Sequence, residues 1–114
     1  MDKKKAIDLL KKYAPDEKKL EIIFNHSRAV QKLAGKIAEE IAENNPSMKI
    51  DFAFIRTASL LHDIGRFIHP PGKDGIKHGI AGAELLRKEK LDERYARVCE
   101  THVGSGIGKD DILE

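Results

Sequence analysis

Apolar residues recur every three or four positions along most of this chain, and that spacing constrains what the chain can fold into. The longest such series runs from Leu20 to Ile41, which is long enough for a helix of about six turns. The period-two alternation of apolar and polar residues that indicates β-strands is scarcely present. The sequence therefore predicts an all-α fold.

Breaks in this periodicity divide the chain into five predicted helices. They cover about residues 2–13, 16–43, 51–64, 77–90 and 92–103. Asp16 and Asp51 stand where helix N-caps are expected, and Gly65 is expected to stop the third helix. Residues 109–114 resemble the first turn of a sixth helix that is cut off. With 114 residues and no linker or repeat, we expect a single domain over residues 1–114, a bundle of five to six helices.

The charge balance limits the class of partner. The chain has 21 Lys and Arg against 19 Asp and Glu, which gives a formal net charge of +2. Since nucleic-acid-binding domains usually carry a clear basic excess, this balance argues against a nucleic acid partner but does not exclude a small phosphorylated ligand. No run of about 18 apolar residues is present, so we expect no membrane-spanning helix. The single Cys99 and the charged, signal-free N-terminus predict a cytoplasmic protein.

Four of the five histidines fall on the apolar faces or at the ends of predicted helices: His26, His62, His78 and His102. A single histidine in such a place is usually a core residue with a backbone partner. Burying four imidazoles from four helices separately would cost desolvation energy four times, whereas a shared metal ion removes that cost. Asp63 adds a carboxylate oxygen, so the set predicts a centre for Mn, Fe, Co, Ni, Zn or Mg.

The segment Leu61-His62-Asp63-Ile64-Gly65-Arg66 resembles the HDIG signature of the HD-domain metal-dependent phosphohydrolases. Three further elements agree with that family in their order along the chain: His26 on a long helix, His78 followed by Gly and a Leu pair, and the Thr101-His102 pair. The resemblance covers about residues 20–103, which is most of the chain.

The resemblance implies a single HD-domain helical bundle with one or two divalent metal ions. His26, His62 and Asp63 would bind the first ion, and His78 and His102 would serve a second. It also implies hydrolysis of a phosphomonoester or phosphodiester bond in a nucleotide-like substrate, by a water molecule that the metal activates. Asp63 and Arg66 would be the catalytic residues, with the Arg66 guanidinium holding a phosphate group.

The chain departs from the family pattern after His102. The family's closing aspartate normally lies on a later helix, and Asp110 and Asp111 are the only later aspartates here. One interpretation is a fragment that lacks this C-terminal helix, and another is a centre with one protein ligand fewer. A third is a non-catalytic module that binds a metal or nucleotide, and a fourth is a structural helical protein whose histidines are coincidental. Residues 109–114 could pair with another chain, so a homodimer is also a hypothesis.

Overall fold

The computed structural model describes residues 1–68 and 75–106, with the side chains of residues 75, 76 and 102–106 left out. This part of the chain is built of helices and contains no β-strand, which confirms the all-α prediction. In chain order the elements are α1 (Lys3–Tyr13), α2 (Glu17–Asn44), α3 (Phe52–Leu61), a 3-10 helix (Ile64–Phe67), α4 (Gly75–Lys88) and α5 (Glu93–Gly106). None of these helices is long and apolar enough to cross a membrane. The predicted sixth helix at residues 109–114 lies outside the described residues.

The chain divides into an N-terminal compact unit that ends at Leu60 and a C-terminal unit that begins at Leu61. Helices in the N-terminal unit begin at aspartate caps, as predicted for Asp16 and Asp51. The Asp16 Oδ1 accepts the Lys19 amide at 2.7 Å, and the Asp51 Oδ1 accepts the Phe54 amide at 3.0 Å. Each cap satisfies one amide that has no partner within its helix. The core of this unit consists of Ala6, Leu9, Leu10, Ile23, Ala38, Ala58 and Leu60.

Helix α3 ends earlier than predicted, at Leu61 rather than near residue 64. His62 and Asp63 lie in a turn, and the backbone then continues as the 3-10 helix, with the Arg66 amide donating to the Asp63 carbonyl at 2.9 Å. The prediction that Gly65 stops α3 is therefore wrong, because Gly65 lies inside the 3-10 helix. Gly65 allows the backbone of α4 to approach closely, as described below, and is not a helix C-cap.

The C-terminal unit is held together by the packing of α4 against α5 and against the 3-10 helix. Its buried apolar residues are Leu61, Ile64, Phe67, Ala81, Ala83, Leu86, Tyr95, Ala96 and Cys99. Beyond this core, the Arg87 guanidinium on α4 donates to the carboxylates of Glu93 and Glu100 on α5. The packing places the start of α4 directly beside the turn that carries His62 and Asp63.

Candidate metal centre

A buried polar cluster in the C-terminal unit centres on the Asp63 carboxylate. The Asp63 Oδ1 lies 3.1 Å from the Nε2 of His78, and its Oδ2 lies 3.4 Å from the Nε2 of His62. Asp63, His78 and His62 are only 1%, 4% and 5% exposed. Two imidazoles from separate elements, the turn after α3 and the first turns of α4, therefore meet different oxygens of one buried carboxylate.

Arg66 closes one side of this cluster, with its Nε 3.4 Å from the Asp63 Oδ2. Asp63 is the N-cap residue of the 3-10 helix and Arg66 lies three positions later. Side chains three residues apart eclipse one another in a 3-10 helix, which explains why the guanidinium stands over the carboxylate. The Arg66 side chain is 24% exposed, so the positive charge lies between the buried Asp63 and the surface.

Two glycines set how closely α4 approaches this turn. A Cβ atom added at Gly65 would lie 1.7 Å from the His78 carbonyl oxygen and 2.7 Å from the Gly82 amide nitrogen. One added at Gly82 would lie 3.2 Å from both the Gly65 nitrogen and the Cys99 Sγ. Backbone therefore packs directly on backbone here, and this contact brings the His78 imidazole within reach of Asp63.

The His62 imidazole and the Asp63 carboxylate are donors that fit a divalent metal ion, and their ligand atoms lie within 4.8 Å of each other. Two imidazole nitrogens and a carboxylate gather in a space that is almost inaccessible to solvent. Neutral imidazole and carboxylate are the ligand types that Mn, Fe, Co, Ni and Zn accept in proteins, and carboxylate also suits Mg. Burying a carboxylate is unfavourable unless a positive charge compensates it, and a bound cation would supply that charge.

Cys99 lies near the cluster but does not extend the donor set. Its thiol is fully buried and donates to the Leu61 carbonyl oxygen at 3.7 Å. Burial, with a smaller contribution from the negative charge of Asp63, raises the pKa of this thiol to about 12. Because thiolate is the form that binds metals, Cys99 stays a neutral core residue.

The family model of the HD domain matches residues 23–114, which is most of the chain. The chain belongs to the HD-domain family. Membership places it in the superfamily of metal-dependent phosphohydrolases, whose domains bind divalent metal ions. The His62–Asp63 pair of this HD domain is the pair at the centre of the buried cluster.

Curated relatives of this HD domain carry several names. It is 35% identical over its full length to an uncharacterized protein of Methanocaldococcus jannaschii, of which it covers 61%. It is 32% identical over 113 residues to a tRNA (cytidine(56)-2'-O)-methyltransferase of Thermoplasma volcanium, covering 29% of that enzyme. It is 34% identical over 92 residues to a ribonuclease Y of Chlorobium luteolum, covering 16% of it. The chain thus spans less than two thirds of each of these relatives, and no solved structure matches it significantly.

Of the residues predicted for the site, the structure brings His62, Asp63, Arg66 and His78 together in the C-terminal unit. The side chain of His102, on α5, lies outside the described part of the structure, as do Asp110 and Asp111 in full. The sequence reasoning missed Gly82. Its signal is the run of small residues at 81–83 within a helix, which is typical of close packing between elements.

The exposure of His26 differs from its prediction, whereas its role as a metal ligand stays a prediction. It lies on α2 in the N-terminal unit and is exposed, so the expectation that it faces inward is wrong. The buried positions on this part of α2 are Ile23 and Ser27, which are four residues apart and share one face. His26 is rotated by about 100° from Ser27 around the helix axis, which places it on the neighbouring exposed face.

Proposed function

We propose that this HD domain is a metal-dependent phosphohydrolase that hydrolyses a phosphomonoester or phosphodiester bond of a nucleotide-like substrate. The observation that supports the proposal most is the buried cluster of His62, Asp63 and His78, with contacts of 3.1 and 3.4 Å. Burying these three polar side chains side by side costs desolvation free energy unless a bound ion compensates it. In the HD family such residues hold a catalytic metal ion, which would provide that compensation.

In this proposal His26, His62 and Asp63 hold the first metal ion and His78 and His102 serve a second, as the family pattern implies. A bound divalent ion would act as a Lewis acid and lower the pKa of a coordinated water molecule toward neutrality. Asp63 has an oxygen within 3.4 Å of each of the two imidazoles, so its negative charge would stabilise a cation bound beside them. The Arg66 guanidinium, which is partly exposed, would bind a phosphate oxygen through the nitrogens that do not face Asp63.

The relatives inform the choice of substrates to test. Two of them are named as enzymes of RNA, a ribonuclease and a tRNA methyltransferase. A phosphodiester in a short RNA therefore belongs beside nucleoside monophosphates, nucleoside triphosphates and cyclic nucleotides in the substrate panel. The net charge of +2 favours the small nucleotides within this panel.

Metal content and hydrolysis, measured on the same preparations, test the proposal. The purified chain is dialysed against Mn²⁺, Ni²⁺ or Zn²⁺, its bound metal is quantified, and hydrolysis of bis-p-nitrophenyl phosphate and of the substrate panel is followed. We expect bound metal and turnover in the wild type and loss of both in the double variant His62→Ala, Asp63→Ala. Glu84→Gln, an exposed carboxylate on α4, is the matched control and should keep both. A wild type that binds none of the three ions contradicts the proposal, and turnover unchanged in the double variant would identify a contaminating enzyme.

The pairing of Arg66 with Asp63 favours a second candidate, an HD fold that binds metal or nucleotide without turnover. The Asp63 carboxylate lies 3.4 Å from the Arg66 guanidinium and offsets its positive charge. The electrostatic attraction between Arg66 and a phosphate group is therefore weaker. Calorimetric titration with a nucleotide, followed by chromatography of the recovered ligand, separates the two candidates. Binding with the nucleotide recovered intact supports the binding module, and recovery of a hydrolysed product supports the enzyme.

A further inference from the structure

An exposed row of large aliphatic side chains lies on the second half of α2. Leu33, Ile37 and Ile41 are 61%, 50% and 40% exposed. Because they are four residues apart, they lie along one face of the helix, and we call these three residues the α2 stripe. Single exposed aliphatic residues are common on protein surfaces, but a contiguous row on one helix is typical of a surface that another element covers.

Charged residues change sign along α2 at the middle of the stripe. Between residues 25 and 36 every charged side chain is basic, and between residues 37 and 45 every one is acidic. All six of them are exposed: Arg28, Lys32, Lys36, Glu39, Glu40 and Glu43. A surface of this kind is complementary to a copy of itself that runs in the opposite direction.

We propose that the α2 stripe is the interface of a homodimer in which the two α2 helices run antiparallel and cross at Ile37. A two-fold axis at Ile37 places Leu33 against the partner's Ile41, since both are four residues from the axis. The same axis brings Lys36 within side-chain reach of the partner's Glu40. A parallel pairing would instead place equal charges opposite one another, which is unfavourable.

Sedimentation of the full chain over a range of concentrations tests this interface. We expect a wild-type dimer, and in Ile37→Glu a dissociation constant at least about tenfold higher, because two carboxylates then meet at the axis. Ile80→Glu is the matched control, since Ile80 is 54% exposed on α4 and is not one of the three stripe residues. Circular dichroism of each variant shows whether the helices are intact. A wild type that stays monomeric at millimolar concentration, or Ile37→Glu with unchanged dimer affinity, overturns the proposal.

Charge reversal tests the antiparallel orientation. Lys36→Glu alone and Glu40→Lys alone should each weaken the dimer, because each places like charges opposite one another across the axis. An equimolar mixture of the two variants should recover the affinity as a heterodimer, in which both cross-axis contacts again join opposite charges. In a parallel pair Lys36→Glu would only exchange one like-charge contact for another, so an unchanged dissociation constant in that variant overturns the antiparallel arrangement.

Discussion

Gly65 occupies a position where a side chain would collide with the backbone of α4. The nearest atom to an added Cβ is the His78 carbonyl oxygen, at 1.7 Å, and backbone atoms cannot move aside as the end of a flexible side chain can. The contact also fixes where the His78 imidazole lies relative to Asp63. The packing of one glycine therefore determines both the stability of the C-terminal unit and the geometry of its ligand groups.

Replacing Gly65 with alanine should lower the free energy of unfolding by about 2–4 kcal/mol, because the 3-10 helix and α4 must separate. Metal affinity should fall as well, since His78 moves away from Asp63. Gly35 is the matched control: it lies within α2, and a Cβ added there meets nothing within 4 Å. Gly35→Ala should raise the free energy of unfolding by about 1 kcal/mol through helix propensity alone. Urea denaturation measures both effects, and equal effects of the two substitutions would contradict the packing argument.

At the scale of helices, the sequence predicted where helices start better than it predicted which of their faces are buried. Caps such as Asp16 and Asp51 act on neighbouring amides, so the starts of α2 and α3 fall within one residue of their predicted places. The end of α4 was harder to predict: it lies at Lys88 and not at the predicted residue 90. Lys90 has a left-handed backbone with a φ of 60°, a conformation that usually ends a helix at glycine and that a lysine in the sequence does not indicate. The exposure of His26 depends on what packs against α2, which helical periodicity in one segment does not specify.

Helices α4 and α5 are also joined at their surface by Arg87. Its Nη2 donates to the Glu93 Oε2 at 2.6 Å, and its Nη1 donates to the Glu100 Oε2 at 3.1 Å. The hydrogen bonds from Arg87 hold the pKa of the Glu93 carboxyl below its usual range. Since this pKa is lower in the folded than in the unfolded chain, the pairing stabilises the fold above the ordinary carboxyl pKa of about 4.3. That contribution is lost as pH falls through the lowered value.

Arg87→Gln should therefore cause a small loss of stability at neutral pH, and its difference from the wild type should disappear as the solution becomes acidic. The loss is small because all three side chains are substantially exposed and screened by solvent. Arg94→Gln is the matched control, because Arg94 pairs with Asp92 within the same segment and does not join α4 to α5. Thermal denaturation across the acid range measures the difference, and a deficit of Arg87→Gln that persists at the most acidic pH would exclude this ion-pair explanation.

At the scale of the whole molecule, the HD family model begins at residue 23 and therefore includes parts of both compact units. The cluster of His62, Asp63 and His78 belongs to the C-terminal unit, and His26 belongs to the N-terminal unit. The proposed ligand set takes residues from both. A metal that binds the folded chain stabilises it by mass action, by about 2.7 kcal/mol when its concentration is 100 times the dissociation constant.

Hydrogen exchange of the full chain with and without Mn²⁺ shows how far that stabilisation extends. If His26 is a ligand, the metal should slow amide exchange in the 3-10 helix and also in α2 around residue 26, because both segments are then held by the same ion. His26→Ala should abolish the slowing in α2 while keeping part of it in the 3-10 helix, whose neighbours His62 and Asp63 still bind. Asn25→Ala, an exposed neighbour on α2, should behave as the wild type. Exchange in α2 that does not respond to the metal in the wild type would remove His26 from the ligand set and leave a centre confined to the C-terminal unit.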